Sequence, residues 1–206
     1  MKKLIISILV VVFTVSLVAQ DINLPTPKKT GGKPLMDCLA ERKSTKSFDG
    51  DKSIDMQTLS SLLWAAWGFN REEKRTAPSS RNKQEIDIYV ALPSGMYLWD
   101  AKENVLKLIV KKDLRKATGK QDYVEKAAVN LVYVCNIERC ATKGDTQKLT
   151  ESTYANAGFV SQNVYLFCAS EGLGTVVRGY VDKELLSKEM NLTSDQMVVL
   201  CQSVGY

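Results

Sequence analysis

Apolar positions along this chain follow two rhythms. From 56 to 69, Leu59, Leu62, Leu63, Ala66 and Trp67 recur at three- and four-residue spacing, with Asp55 placed to cap a helix and Gly68 near its end. The longest helical pattern spans 146–171 and carries small residues, Ala155, Ala157, Gly158 and Ser161, where another helix can approach closely. Shorter helices are predicted at 35–42 and after Asp182. The other rhythm is alternation. Residues 85–92 read as a strand, and 94–100 and 104–110 follow with turn residues between them, which predicts a meander. Residues 130–137 form a short apolar strand and 196–206 a closing one, while 113–127 is helical in part and broken at Gly119. Three prolines and two glycines in 21–34 predict a linker or extended arm rather than a core element. Helices and meander-linked strands without a regular βαβ alternation predict an α+β fold, a mostly antiparallel sheet flanked by helices.

The first twenty residues stand apart. Lys2 and Lys3 precede an apolar run from Leu4 to Val18, and Ala19 precedes a polar shift. This is the layout of a secretory signal peptide, with export to a periplasm-like compartment; a retained anchor is the alternative. The run is short beside the roughly 20 residues of a stable span. The organisation expected is thus signal peptide 1–20, arm 21–34 and one domain over 35–206.

The 206 residues are 45% hydrophobic and 25% charged, enough for one core. A formal charge of +5, without a basic and aromatic face, argues against nucleic acid as a partner. The chain has no histidine, which removes a Ser-His triad, and it has no CxxC, so no zinc site is expected. Cys135 and Cys140 could bridge across a strand end, but Cys135, Cys168 and Cys201 all sit within apolar stretches and read first as small core hydrophobes.

Three stretches can carry chemistry. In "ERKSTKSF", Arg42, Ser44 and Lys46 alternate, which in an extended segment puts two cations and a hydroxyl on one side. Such a group clamps a phosphate, or is a solvated basic turn. "TAPSSRNKQE" gathers hydrogen-bonding side chains at the mouth of a strand. "EGLGTVVRGY" fails as a GxGxxG loop because Val177 stands where glycine is required; it predicts a helix stop at Gly172 with Gly174 in the turn. With acid–base groups so sparse, an organic cofactor is the expected carrier of any reaction.

Four motifs, in order, resemble those of the nitroreductase-like flavoproteins: "RKSTKSF", "APSSRNKQ", "AGFVSQNVYLFCASEGLGT" and "VVLCQSVGY". The "LWAAWGFNR" region also looks like the branch containing the azole-peptide dehydrogenases. The resemblance implies an intertwined homodimer with FMN at the subunit interface. It assigns the FMN phosphate to Arg42, Lys43, Ser44 and Lys46, and a wall against the partner's flavin to Pro78, Ser79, Ser80 and Asn82. It places Gln121 at the flavin's pyrimidine edge and backbone N–H groups of Val177, Arg178 and Gly179 near flavin N5. Many relatives carry an acidic residue where Arg178 stands; its side chain either stabilises reduced flavin or points to solvent. The implied activity is FMN-dependent oxidation–reduction, with hydride passing from a donor such as NAD(P)H through N5 to a nitroaromatic, a quinone or a similar acceptor. A non-catalytic flavin-binding protein and a relative without cofactor are the alternatives.

Overall fold

Three of the four α-helix starts among the described residues are fixed by an aspartate. Asp55, Asp145 and Asp182 accept from the backbone N–H groups of Thr58, Lys148 and Leu185, and so begin α2 (Met56–Trp67), α3 (Thr146–Glu171) and α4 (Lys183–Glu189). Gly172 ends α3 in the left-handed region at φ 71°, where a side chain would be strained. The first helix, α1 (Leu35–Glu41), has no side-chain cap. The computed structural model describes residues 20–206, so the signal-peptide reading of the N-terminal segment lies outside the described residues. No helix among the described residues is long and apolar enough to cross a membrane.

The main sheet has seven strands in the order β1-β6-β5-β4-β7-β9-β8, all paired antiparallel. They are β1 (Ile22–Asn23), β4 (Ile86–Leu92), β5 (Gly95–Asp100), β6 (Val105–Val110), β7 (Val129–Asn136), β8 (Gly174–Arg178) and β9 (Gln196–Gly205); a separate two-stranded hairpin joins β2 (Phe69–Arg71) to β3 (Lys74–Arg75). The expected meander is present as β4, β5 and β6. β7 is buried on both faces, which explains its unbroken apolar run. One face packs Leu131, Tyr133 and Val204 against Leu59, Leu63, Val160 and Val164 of α2 and α3. The other packs Val132, Val134 and Cys201 against Leu186 of α4 and Leu114.

Two expectations are corrected here. The arm is extended, but its start pairs as β1 on the edge of β6, and Leu24 enters the core at 8% exposure. Gly174 is not in a turn: it opens β8, because the αL reversal is completed at Gly172 and Leu173. The small residues of α3 also divide. Ala157 and Ser161 are buried within the protomer, and only Ala155 and Gly158 lie on the exposed side.

The cap on α2 makes a test available. Asp55 takes the Thr58 hydroxyl at 2.6 Å and its N–H at 2.9 Å, and these bonds hold its carboxyl below the usual carboxylate range. Because the folded value is depressed, this contribution is present above the ordinary carboxylate range and is lost as pH falls through the folded value. Asp55→Ala is expected to cost about 1 kcal/mol in urea unfolding at neutral pH, and less in acid. A difference independent of pH argues against the charged cap.

Candidate functional site

β8 is an edge strand, and edges need cover. The 42–48 segment supplies it: the Thr45 N–H donates to Thr175 O at 2.9 Å, and just beyond it the Asp49 N–H donates to Tyr206 O at 2.8 Å. Gly174 leaves room for this docking, since a Cβ there would lie 2.9 Å from the Thr45 methyl. The first and last of the four motifs are therefore side by side.

Tyr165 of α3 ties this segment to β8. Its hydroxyl lies 2.8 Å from Ser44 Oγ and accepts the Val177 N–H at 3.0 Å, while the Arg42 guanidinium sits 5.3 Å from its ring centroid. Arg42 and Ser44 thus share one side, as their alternation predicted. Lys43 and Thr45 line a recess of about 510 Å³ that also reaches Tyr165 and Tyr206. Lys46 lines a smaller recess of about 240 Å³ with Phe48 and Tyr123. Arg42, Lys43 and Lys46 have no carboxylate partner among the described residues. Arg42 and Ser44 are thus gathered at Tyr165 with Lys43 on the adjoining recess, an arrangement that suits an anion, whereas Lys46 departs from the predicted group and faces the separate recess beside Phe48.

Arg178 is 4% exposed, which removes the solvent-facing alternative. Its guanidinium donates to Thr118 O, Asn130 Oδ1 and Ser203 Oγ at 2.7, 2.8 and 2.9 Å, and Ser203 Oγ in turn contacts Asn130 Oδ1. Burial lowers the guanidinium from its ordinary value, and all three partners are neutral. Gly119 is needed for space: a Cβ there would lie 2.0 Å from Arg178 Nη1 and 2.9 Å from Gln121 Oε1. Gln121 Oε1 and Arg178 Nε are buried without a hydrogen-bond partner among the described residues. The Lys120 N–H donates to Tyr180 O, so the Gln121 loop rests directly on the chain around Gly179.

The loop with Pro78, Ser79, Ser80 and Asn82 lies elsewhere, on the β2–β3 hairpin. Ser79 Oγ accepts the Gln84 N–H, Gln84 and Asn82 donate to Glu73 O, and Gln84 Oε1 accepts from Arg75. Arg81, Asn82 and Gln84 all have φ between 51° and 54°, a conformation that costs each of them energy. No hydrogen bond among the described residues joins this loop to the 42–46 segment within the protomer. Sequence reasoning missed Tyr165, whose place in an apolar helix stripe marks it only as core.

A family model described as the nitroreductase family matches residues 39–206. A candidate nitroreductase from Ralstonia eutropha is 42% identical, with 90% of this chain and 89% of that chain covered and a TM-score of 0.84. A chain of the Escherichia coli microcin synthetase McbBCD complex shares the fold at 18% identity and TM-score 0.70, covering 78% of this chain and 66% of that one. The NADPH:FMN oxidoreductase of Vibrio harveyi does so at 23% and 0.61, covering 84% and 68%. The family match, with the fold, supports an oxidoreductase of the flavin-using class in general. The chain belongs to the nitroreductase family.

Proposed function

We propose that the chain is an FMN-dependent oxidoreductase working as a homodimer. The single observation that carries this is the Arg42 cation and the Ser44 hydroxyl gathered on Tyr165, which ties them to β8 beside the recess that Lys43 lines. These residues would hold the FMN phosphate. The unpartnered Gln121 Oε1 would accept from the pyrimidine edge, and the buried Arg178 cation would lower the cost of negative charge on the bound group. Bound there, FMN would supply hydride transfer through N5, from a donor such as NAD(P)H to a nitroaromatic, a quinone or a similar acceptor. The chain binds, orients and tunes. Tyr165 holds Ser44 and engages the Val177 N–H, and Arg178 pairs with Cys201 of β9, so Gly179 is the backbone position that would be left to meet N5.

A second copy would bring Pro78, Ser79, Ser80 and Asn82 to the opposite wall. Tyr154, Phe159, Leu35, Met36 and Leu39 are exposed on α3 and α1, and a Cβ at Gly158 would meet nothing within 4 Å, which supports a covered face. Export, if the N-terminal segment directs it, would place the reaction outside the cytoplasm.

Titrating the cofactor-free chain tests this reading. FMN is expected to bind more tightly than riboflavin, which lacks the phosphate. Arg42→Ala is expected to raise the FMN Kd by roughly ten- to hundredfold, the loss of about 1.5–3 kcal/mol for a hydrogen bond to a charged group. Equal Kd values for FMN and riboflavin, or no change in the variant, reject the phosphate clamp. Anaerobic reduction by NADH or NADPH followed by turnover with an acceptor separates an enzyme from a protein that only carries flavin.

A further inference from the structure

β7 ends at Asn136, a short 3-10 turn (Ile137–Arg139) follows, and the chain reaches the loop before α3 at Cys140. That turn folds the strand end back on itself. Cys140 Sγ comes to 3.1 Å from Cys135 Sγ, with both residues buried. Thr153 of α3 closes the group, its Oγ1 at 3.5 Å from Cys135 Sγ and 3.9 Å from Cys140 Sγ. The buried Glu85 lies alongside. Its Oε1 accepts from Asn156, while its Oε2 has no partner among the described residues. All five cysteines are free thiols, and Cys135 and Cys140 are the two whose sulfurs touch.

We propose that Cys135 and Cys140 form a reversible disulfide, a modification site that locks the end of β7 to the loop entering α3. The two sulfurs need to close by roughly 1 Å to reach bonding distance. Burial and the nearby Glu85 disfavour a thiolate at Cys135, whose thiol is pushed up to about 12. The oxidant is a small-molecule disulfide such as oxidised glutathione. Cys140, 6% exposed where Cys135 is 0% exposed, meets it first. Its sulfur bonds one sulfur of the oxidant, and the other leaves as a thiol with the Cys140 proton. The Cys135 sulfur then attacks the Cys140 sulfur, and the second thiol leaves with the Cys135 proton. One disulfide is reduced, one is formed, and two protons move to the two released thiols.

The test equilibrates the full chain across reduced and oxidised glutathione, and in parallel refolds denatured chain in oxidised glutathione so that burial cannot limit access. After acid quenching, alkylation under denaturing conditions counts free thiols. Trypsin cuts after Arg139, separating a Cys135 peptide, 127–139, from a Cys140 peptide, 140–143. At the oxidising end, alkylatable thiols are expected to fall from five to three in both arms, with those two peptides joined and lighter by two hydrogens. Reduced glutathione should restore all five, and Cys140→Ser should abolish the joined species. Five free thiols after oxidative refolding, a lasting glutathione adduct on Cys140, or a bridge involving Cys38, Cys168 or Cys201 overturns the proposal.

Discussion

Arg178→Ala is expected to destabilise the protein by about 3–5 kcal/mol, because it strips a donor from several buried acceptors at once and each orphaned group costs about 1–3 kcal/mol. Thr118 O loses the guanidinium outright, and Asn130 Oδ1 and Ser203 Oγ keep only each other. Arg178→Lys should recover part of the loss, since one ammonium on a flexible stem cannot reproduce a planar fork reaching three acceptors. The urea midpoint at constant slope is the measurement. A variant with an unchanged midpoint would mean that water replaces the guanidinium without penalty, and Arg178 would then be a poor source of fixed positive charge for a bound anion.

Trp67→Ala carries the other large effect, about 3–5 kcal/mol for a buried aromatic. The indole is 1% exposed and donates to Ile86 O at 2.8 Å. Its loss should also reach the strained loop. The Arg75 guanidinium stacks 5.3 Å from the Trp67 ring and 3.9 Å from Phe69, donates to Trp67 O, and donates to Gln84 Oε1. Removing the indole undercuts the cation that holds the loop's end. Hydrogen exchange is therefore expected to rise in 76–85 more than in β7 or β9. Equal acceleration everywhere would reduce Trp67 to a core residue with no special hold on the loop.

How far the amino-acid order discloses this structure depends on where local and distant forces agree. α3 was legible to the residue because Asp145 and Gly172 supply a cap and a stop that act through their nearest neighbours. The meander was legible for the same reason, its turns being written in Pro93, Ser94 and Gly95 and in the polar residues after Asp100. β8 was not, because its glycine start resembles a turn and its charged Arg178 is buried only by partners far away in sequence. That Arg42 and Ser44 share a side was legible from alternation, while the turn of Lys46 into another recess was not. Tyr165 was not, since a helix stripe gives no sign that one hydroxyl will cross to Ser44, 121 residues away. The polar loop announced itself by composition, but the positive φ of Arg81, Asn82 and Gln84 has no local signature.

The position of β9 between β7 and β8 has a consequence in time rather than in space. Thr45, Ser44 and Arg42 emerge early during synthesis, yet the strand they dock against is held in the sheet through β9, which is completed only at Gly205. Until the ribosome has released that stretch, the early cations have no floor. Pairings across such sequence distances pay their loop entropy before they are rewarded, so they form late and slowly. The half-built sheet, with β7 lacking a neighbour on one side, is then the species most exposed to chaperones and to aggregation.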